Sequence, residues 1–101
     1  MAALIFHPEA KTELRDAAGY YENSRVGLGM LFLDAVESAL EHIRANPLSW
    51  RVIRGNVRRC LVRRFPYGVI YFVENDRIFI LAIMHLHRKP DYWQNRIQDV
   101  S

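Results

Sequence analysis

The side chains able to do chemistry are concentrated in two stretches of the second half of this chain. The first is Arg58-Arg59-Cys60-Leu61-Val62-Arg63-Arg64-Phe65-Pro66-Tyr67. The second is His85-Leu86-His87-Arg88-Lys89-Pro90-Asp91-Tyr92-Trp93-Gln94-Asn95-Arg96. A guanidinium is a planar fork of donors that matches carboxylate and phosphate oxygens, so arginines spent on a sheet point to an anionic or planar ligand. Histidine titrates near neutrality, which makes His85 or His87 chemically reasonable as a general base. The two histidines would share one face of a continuing strand, but no Cys, Asp or Glu stands at a persuasive third-ligand spacing, and no metal is expected. Tyr67 and Tyr71 read as sheet-packing aromatics, whereas Tyr92, beside Arg88 in a polar tail, has a better claim to a role. The chain has no glycine-rich phosphate loop, and spacing supports neither a Ser/His/Asp nor a Cys/His arrangement.

These residues need elements to hold them. Arg58 to Phe65 reads as one strand, Pro66 to Gly68 as a corner, and Val69 to Val73 as the returning strand. Alternation then puts Arg59, Leu61, Arg63 and Phe65 on one face and Arg58, Cys60, Val62 and Arg64 on the other. On that reading adjacent Arg63 and Arg64 cannot serve a single site. Leu4-Ile5-Phe6 is a first short strand. Pro8 and Glu9 open a helix whose buried stripe is Ala10, Leu14, Ala17, Ala18 and Tyr21, with Glu9, Glu13, Asp16 and Glu22 on its other sides. Leu28, Phe32, Ala35, Val36, Ala39, Leu40 and Ile43 mark a second helix that Asn46-Pro47 ends. The short link between the helices implies an antiparallel hairpin. Val52-Ile53 is a short extended piece, and Arg77 to His85 a strongly apolar, central strand. One or two helical turns follow Pro90. The fold class is α+β: an N-terminal strand and an antiparallel helical hairpin packed on one face of a small, mainly antiparallel sheet.

At 101 residues, half of them hydrophobic and a quarter charged, the chain is expected to be a single folded domain spanning 1–101. Its longest clean apolar run, Ile78 to Met84, is too short to span a membrane. No signal peptide is expected at the N-terminus, and the lone Cys60 reads as a small buried hydrophobe, which together favour the cytoplasm. Residues 1–50 hold four basic side chains against seven acidic ones, and residues 51–101 hold ten against four. The basic half suits an anionic partner, either nucleic acid or an acidic protein. No helix is basic enough to enter a DNA groove by itself.

Phe6-His7-Pro8-Glu9-Ala10, Ala18-x-Tyr20-Tyr21-Glu22, Gly29-x-x-Phe32, Asn46-Pro47, Arg64-Phe65-Pro66-Tyr67-x-Val69-Ile70-Tyr71 and His85-x-x-Arg88-x-Pro90-x-Tyr92-Trp93 together resemble the RelE/ParE superfamily of bacterial toxins. The resemblance runs from residue 6 to residue 96. It implies the toxin of a type II toxin–antitoxin pair, in hetero-oligomeric complex with an antitoxin whose toxin-binding segment is acidic. No cofactor and no membrane partner are expected.

Two mechanisms occur in the superfamily. RelE-like members cut messenger RNA on the ribosome, activating a ribose hydroxyl against its own phosphate without metal. Here Arg59, Arg88, Tyr92 and His87 would carry that chemistry. Leu61 and Gly68, however, fall where the RelE-like pattern has a lysine and an arginine, which leaves the constellation about half present. The corner and tail motifs look closer to ParE-like members, which are associated with poisoning DNA gyrase and need no active site. On that reading Arg58, Arg63, Arg64, Tyr67, His85, Trp93 and Arg96 are the expected partner contacts. A third reading is an inactive toxin retained for antitoxin binding.

Overall fold

The structure, a computed structural model, describes residues 2–100. Strand β1 (Ala3–Phe6) leads into α1 (Pro8–Ser24) and α2 (Leu28–Ala45). Strands β2 (Arg51–Arg54), β3 (Val57–Leu61), β4 (Tyr67–Glu74) and β5 (Arg77–His85) follow, then a short 3-10 turn (Gln94–Arg96) and α3 (Ile97–Val100). The five strands form one sheet in the order β1-β5-β4-β3-β2. Only β1 runs parallel to its neighbour, with Ala3 opposite Arg77 and Phe6 opposite Ile80. The expected α+β class and helical hairpin are both present. No helix among the described residues is long and apolar enough to cross a membrane.

Local chemistry explains each helix boundary. His7 caps α1: its Nδ1 accepts the Glu9 N–H at 3.0 Å, and Pro8 occupies the first turn, where a missing donor costs nothing. The link to α2 turns at Gly27, whose φ of 90° suits glycine. The Glu22 carboxylate then accepts the N–H groups of Gly27 and Gly29 at 3.0–3.1 Å, satisfying otherwise orphaned donors at the start of α2. Gly29 itself marks the closest approach of the hairpin. A Cβ there would stand 2.6 Å from the Ala18 carbonyl oxygen.

The sheet is buried on both faces, which is why β4 and β5 read as continuous apolar runs. Phe32, Val36, Ala39 and Ile43 of α2 pack with Cys60, Val62, Val69, Tyr71, Ile80 and Ile83 on one face. On the other, Val57, Ile70, Phe72, Phe79, Leu81 and Met84 are covered by Trp93, with Tyr92, Ile97 and Val100 packed alongside. The tail after β5 is therefore a second layer of the fold.

The arginine-rich strand is shorter than alternation suggested. β3 stops at Leu61, and a loop holding Arg63 and Arg64 intervenes before β4 resumes at Tyr67. The loop closes through Val62 N–H to the Tyr67 carbonyl (2.9 Å), and Arg64 takes a left-handed φ of 70°. Strand alternation thus ends before Arg63, and both arginines line one cavity instead of opposite faces.

Candidate functional site

Three features carry the functional side chains. The first is a groove of about 490 Å³ between α2 and the β3–β4 loop. Leu28, Leu31, Ala35 and Phe65 give it an apolar floor, and Arg25, Arg63 and Arg64 supply its cations, with Asp34 and Ser38 also in its wall. Beside it Val26 (90 % exposed) and Met30 (60 %) stand out in solvent, an unusual use of large apolar side chains. The floor is braced from below, where Phe65 packs edge-on against Tyr21 and Phe32 at ring distances near 5 Å.

The second feature is centred on Glu13 of α1. Beyond the end of β1 the outer edge of β5 has no strand neighbour among the described residues, and side chains satisfy its backbone. Glu13 accepts the Ile83 N–H at 3.0 Å, and Arg96 donates to the Leu81 carbonyl at 3.0 Å. Arg96 also binds Glu13 through both terminal nitrogens, at 2.9 and 3.0 Å, and the Tyr92 hydroxyl donates to Glu13 at 2.7 Å. Arg88 completes the cluster, 3.4 Å from Glu13, with its guanidinium 3.7 Å over the Tyr92 ring. Burial and the Glu13 hydrogen bond hold the Tyr92 phenol well above its ordinary range. Burial pulls the Arg96 guanidinium down, but the hydrogen bond and charge of Glu13 outweigh it.

The third feature is on the tail side of the sheet. Arg59 lays its stem across Gly68, where a Cβ would stand 3.0 Å from Arg59 Cγ. It faces a cavity shared with Arg54, Lys89 and Trp93.

These positions sort the expected site residues. Arg88 and Tyr92 come together, but Arg59 lines a different cavity that shares no residue with the one Arg88 lines. His87 is exposed, and its backbone N–H donates to His85 Nδ1. The Tyr92 hydroxyl already donates to the Glu13 carboxylate, so it is engaged within the fold. Three expected partner contacts are internal. Arg58 donates to the Trp50 carbonyl at 2.7 Å, Trp93 is 1 % exposed in the core, and Arg96 is consumed by Glu13. Arg63 and Arg64 are exposed in the first groove, and Tyr67 and His85 line the Arg88 cavity, with their rings 5.1 Å apart. Among the described residues no group of three or more His, Cys, Asp or Glu is placed to hold a metal. Sequence reading missed Glu13 and Glu22, taking both for solvated helix decoration. Glu22 carried a signal, since it stands just before the short link that turns at Gly27.

The family model described as the ParE toxin of the type II toxin-antitoxin system, parDE, matches residues 4–90. The chain belongs to the ParE toxin family. Nothing among the curated proteins matches it. Among solved structures, a chain from the chromosomal ParDE TA system of P. aeruginosa superposes with a TM-score of 0.64 at 22 % identity, covering 86 % of this chain and 98 % of that one. That likeness is one of fold. It sets this ParE-family chain apart from a RelE-like nuclease no more than the fold allows, so the choice between mechanisms rests on the side chains.

Proposed function

We propose that this ParE-family toxin arrests growth in the cytoplasm by binding DNA gyrase, and that an antitoxin neutralises it in a hetero-complex. The observation that carries the first part is the dispersal of the nuclease residues. Arg59 and Arg88 line separate cavities, Tyr92 is held by Glu13, and Leu61 and Gly68 carry no charge. Cutting RNA needs an acid, a base and charge stabilisation converging on one phosphate. Poisoning by binding needs only a surface.

The groove between α2 and the β3–β4 loop supports the second part. An apolar floor flanked by three arginines fits an acidic, amphipathic segment such as a helix laying its apolar face into a groove. The ParDE system of the P. aeruginosa neighbour makes such a partner the natural candidate.

The deciding test is a gyrase supercoiling assay with the purified chain, paired with mapping of messenger 5′ ends during induced arrest. Inhibited supercoiling with trapped DNA cleavage complexes and intact messages is the expected result. Normal supercoiling at large toxin excess would sink the proposal, and new 5′ ends within translated codons would replace it with a ribonuclease.

A further inference from the structure

We propose that a second copy of this chain docks on the groove where the helical hairpin meets β1, closing a two-fold dimer of the free toxin. Two cavities, of about 480 and 430 Å³, open on that side of the molecule. Both are lined by Leu14 of α1 and Leu33 of α2, so they form one continuous groove. Phe6 of β1 extends the apolar lining in the first half, and Leu4 of β1 and Leu40 of α2 extend it in the second. All five side chains are only partly buried, which leaves an apolar strip open to water. β1 is also an outer strand of the sheet, with β5 as its one strand neighbour among the described residues. The strip therefore runs beside an open edge.

The rims of the groove say what covers it. Lys11 and Arg15, four residues apart on α1, line the first half. Glu37 and Glu41, four apart on α2, line the second, with Arg44 beside them. Lys11, Arg15, Glu37 and Glu41 are all exposed. Among the described residues Lys11, Arg15 and Glu37 make no ion pair, and Glu41 lends one oxygen to Arg44 at 3.3 Å. The two rims thus carry opposite charge at the same spacing of one helical turn. A two-fold axis through Leu14 and Leu33 lays the basic half of each copy over the acidic half of the other and brings the leucines together on the axis. An acidic antitoxin segment would be drawn to Lys11 and Arg15 but repelled by Glu37 and Glu41, and a basic segment would meet the reverse. A second copy satisfies both halves at once. This dimer is independent of the gyrase and antitoxin reading, because it needs only the chain itself.

The test is sedimentation of the full chain, free of antitoxin, across the micromolar range. The parent chain is expected to dimerise. Lys11→Glu with Arg15→Glu, and separately Glu37→Lys with Glu41→Lys, should each weaken the dimer about tenfold. Mixing these two charge-reversed chains should restore it as a heterodimer, identified by native mass spectrometry, because one chain then carries two acidic rims and the other two basic ones. A chain that had merely failed to fold would not be rescued by mixing. Met30→Glu, at an exposed position outside the groove, should leave the dimer unchanged. The proposal falls if the parent is a monomer throughout that range, if the charge-reversed chains dimerise as the parent does, if their mixture stays monomeric, or if Met30→Glu separates the copies.

Discussion

At the scale of single residues, burial decides which polar groups are available. Glu13 joins α1, β5 and the tail through one carboxylate, and its principal partner Arg96 is even more buried than Glu13 itself. Glu13→Gln leaves that guanidinium with only the more distant, exposed Glu9 as counter-charge and should cost about 3 kcal/mol of stability, read from urea denaturation. Tyr71 is wholly buried, and its hydroxyl donates to the Pro47 carbonyl at 2.6 Å. Burial pushes its phenol up to about 12, against a smaller opposing pull from Arg58. The unfolded phenol deprotonates near pH 10, so the folded state holds the proton longer. Its contribution to stability is therefore complete below about pH 10 and is lost as pH rises through about 12. Tyr71→Phe should flatten that part of the alkaline stability profile. The Cys60 thiol, 1 % exposed and pushed up to about 11 by burial, should resist iodoacetamide in the native protein and react only on unfolding, which mass spectrometry reads directly.

Elements tell a different story, in which backbone geometry limits what the sequence can reveal. The helices were legible because Phe32, Val36, Ala39 and Ile43 recur at helical spacing and all four are buried. The sheet's central strands were legible because β4 and β5 are apolar between their polar ends. The end of β3 was not, because Val62 and Phe65 continue a plausible strand pattern through a loop. What breaks the strand is the conformation of Arg64, and nothing in an arginine announces a φ of 70°. Arg64→Gly should leave stability unchanged or raise it by up to about 1 kcal/mol, while weakening any acidic partner of the groove. Gly29→Ala should do the reverse of a helix-strengthening change. Its new Cβ meets a carbonyl of the partner helix that cannot move aside, and a loss of about 2 kcal/mol in thermal unfolding is expected. The candidate contacts were legible as residue types but not as sites. Trp93 and Arg96 look like exposed tail residues until the tail folds over the sheet, and Glu13, the partner of Arg96, is separated from it by most of the chain.

On the whole-molecule scale, charge and connectivity dominate. The two halves of the chain meet at the groove, where Arg25 from the helical hairpin joins Arg63 and Arg64 from the β3–β4 loop in one basic lining. Antitoxin binding there should weaken as salt is raised, mostly through slower association, and Arg63→Glu with Arg64→Glu should remove that salt dependence in stopped-flow measurements. Connectivity has a subtler consequence. The first strand lies beside the last: Ala3 pairs with Arg77, and His7 Nε2 reaches Asp99 at 2.8 Å. On a ribosome, Leu4, Ile5 and Phe6 leave the exit tunnel with no partner, because β5 has yet to be translated. The second face of the sheet stays bare until Trp93 has followed. A nascent chain of this toxin therefore cannot close its sheet, or cover the second face of it, until nearly the whole message has been read.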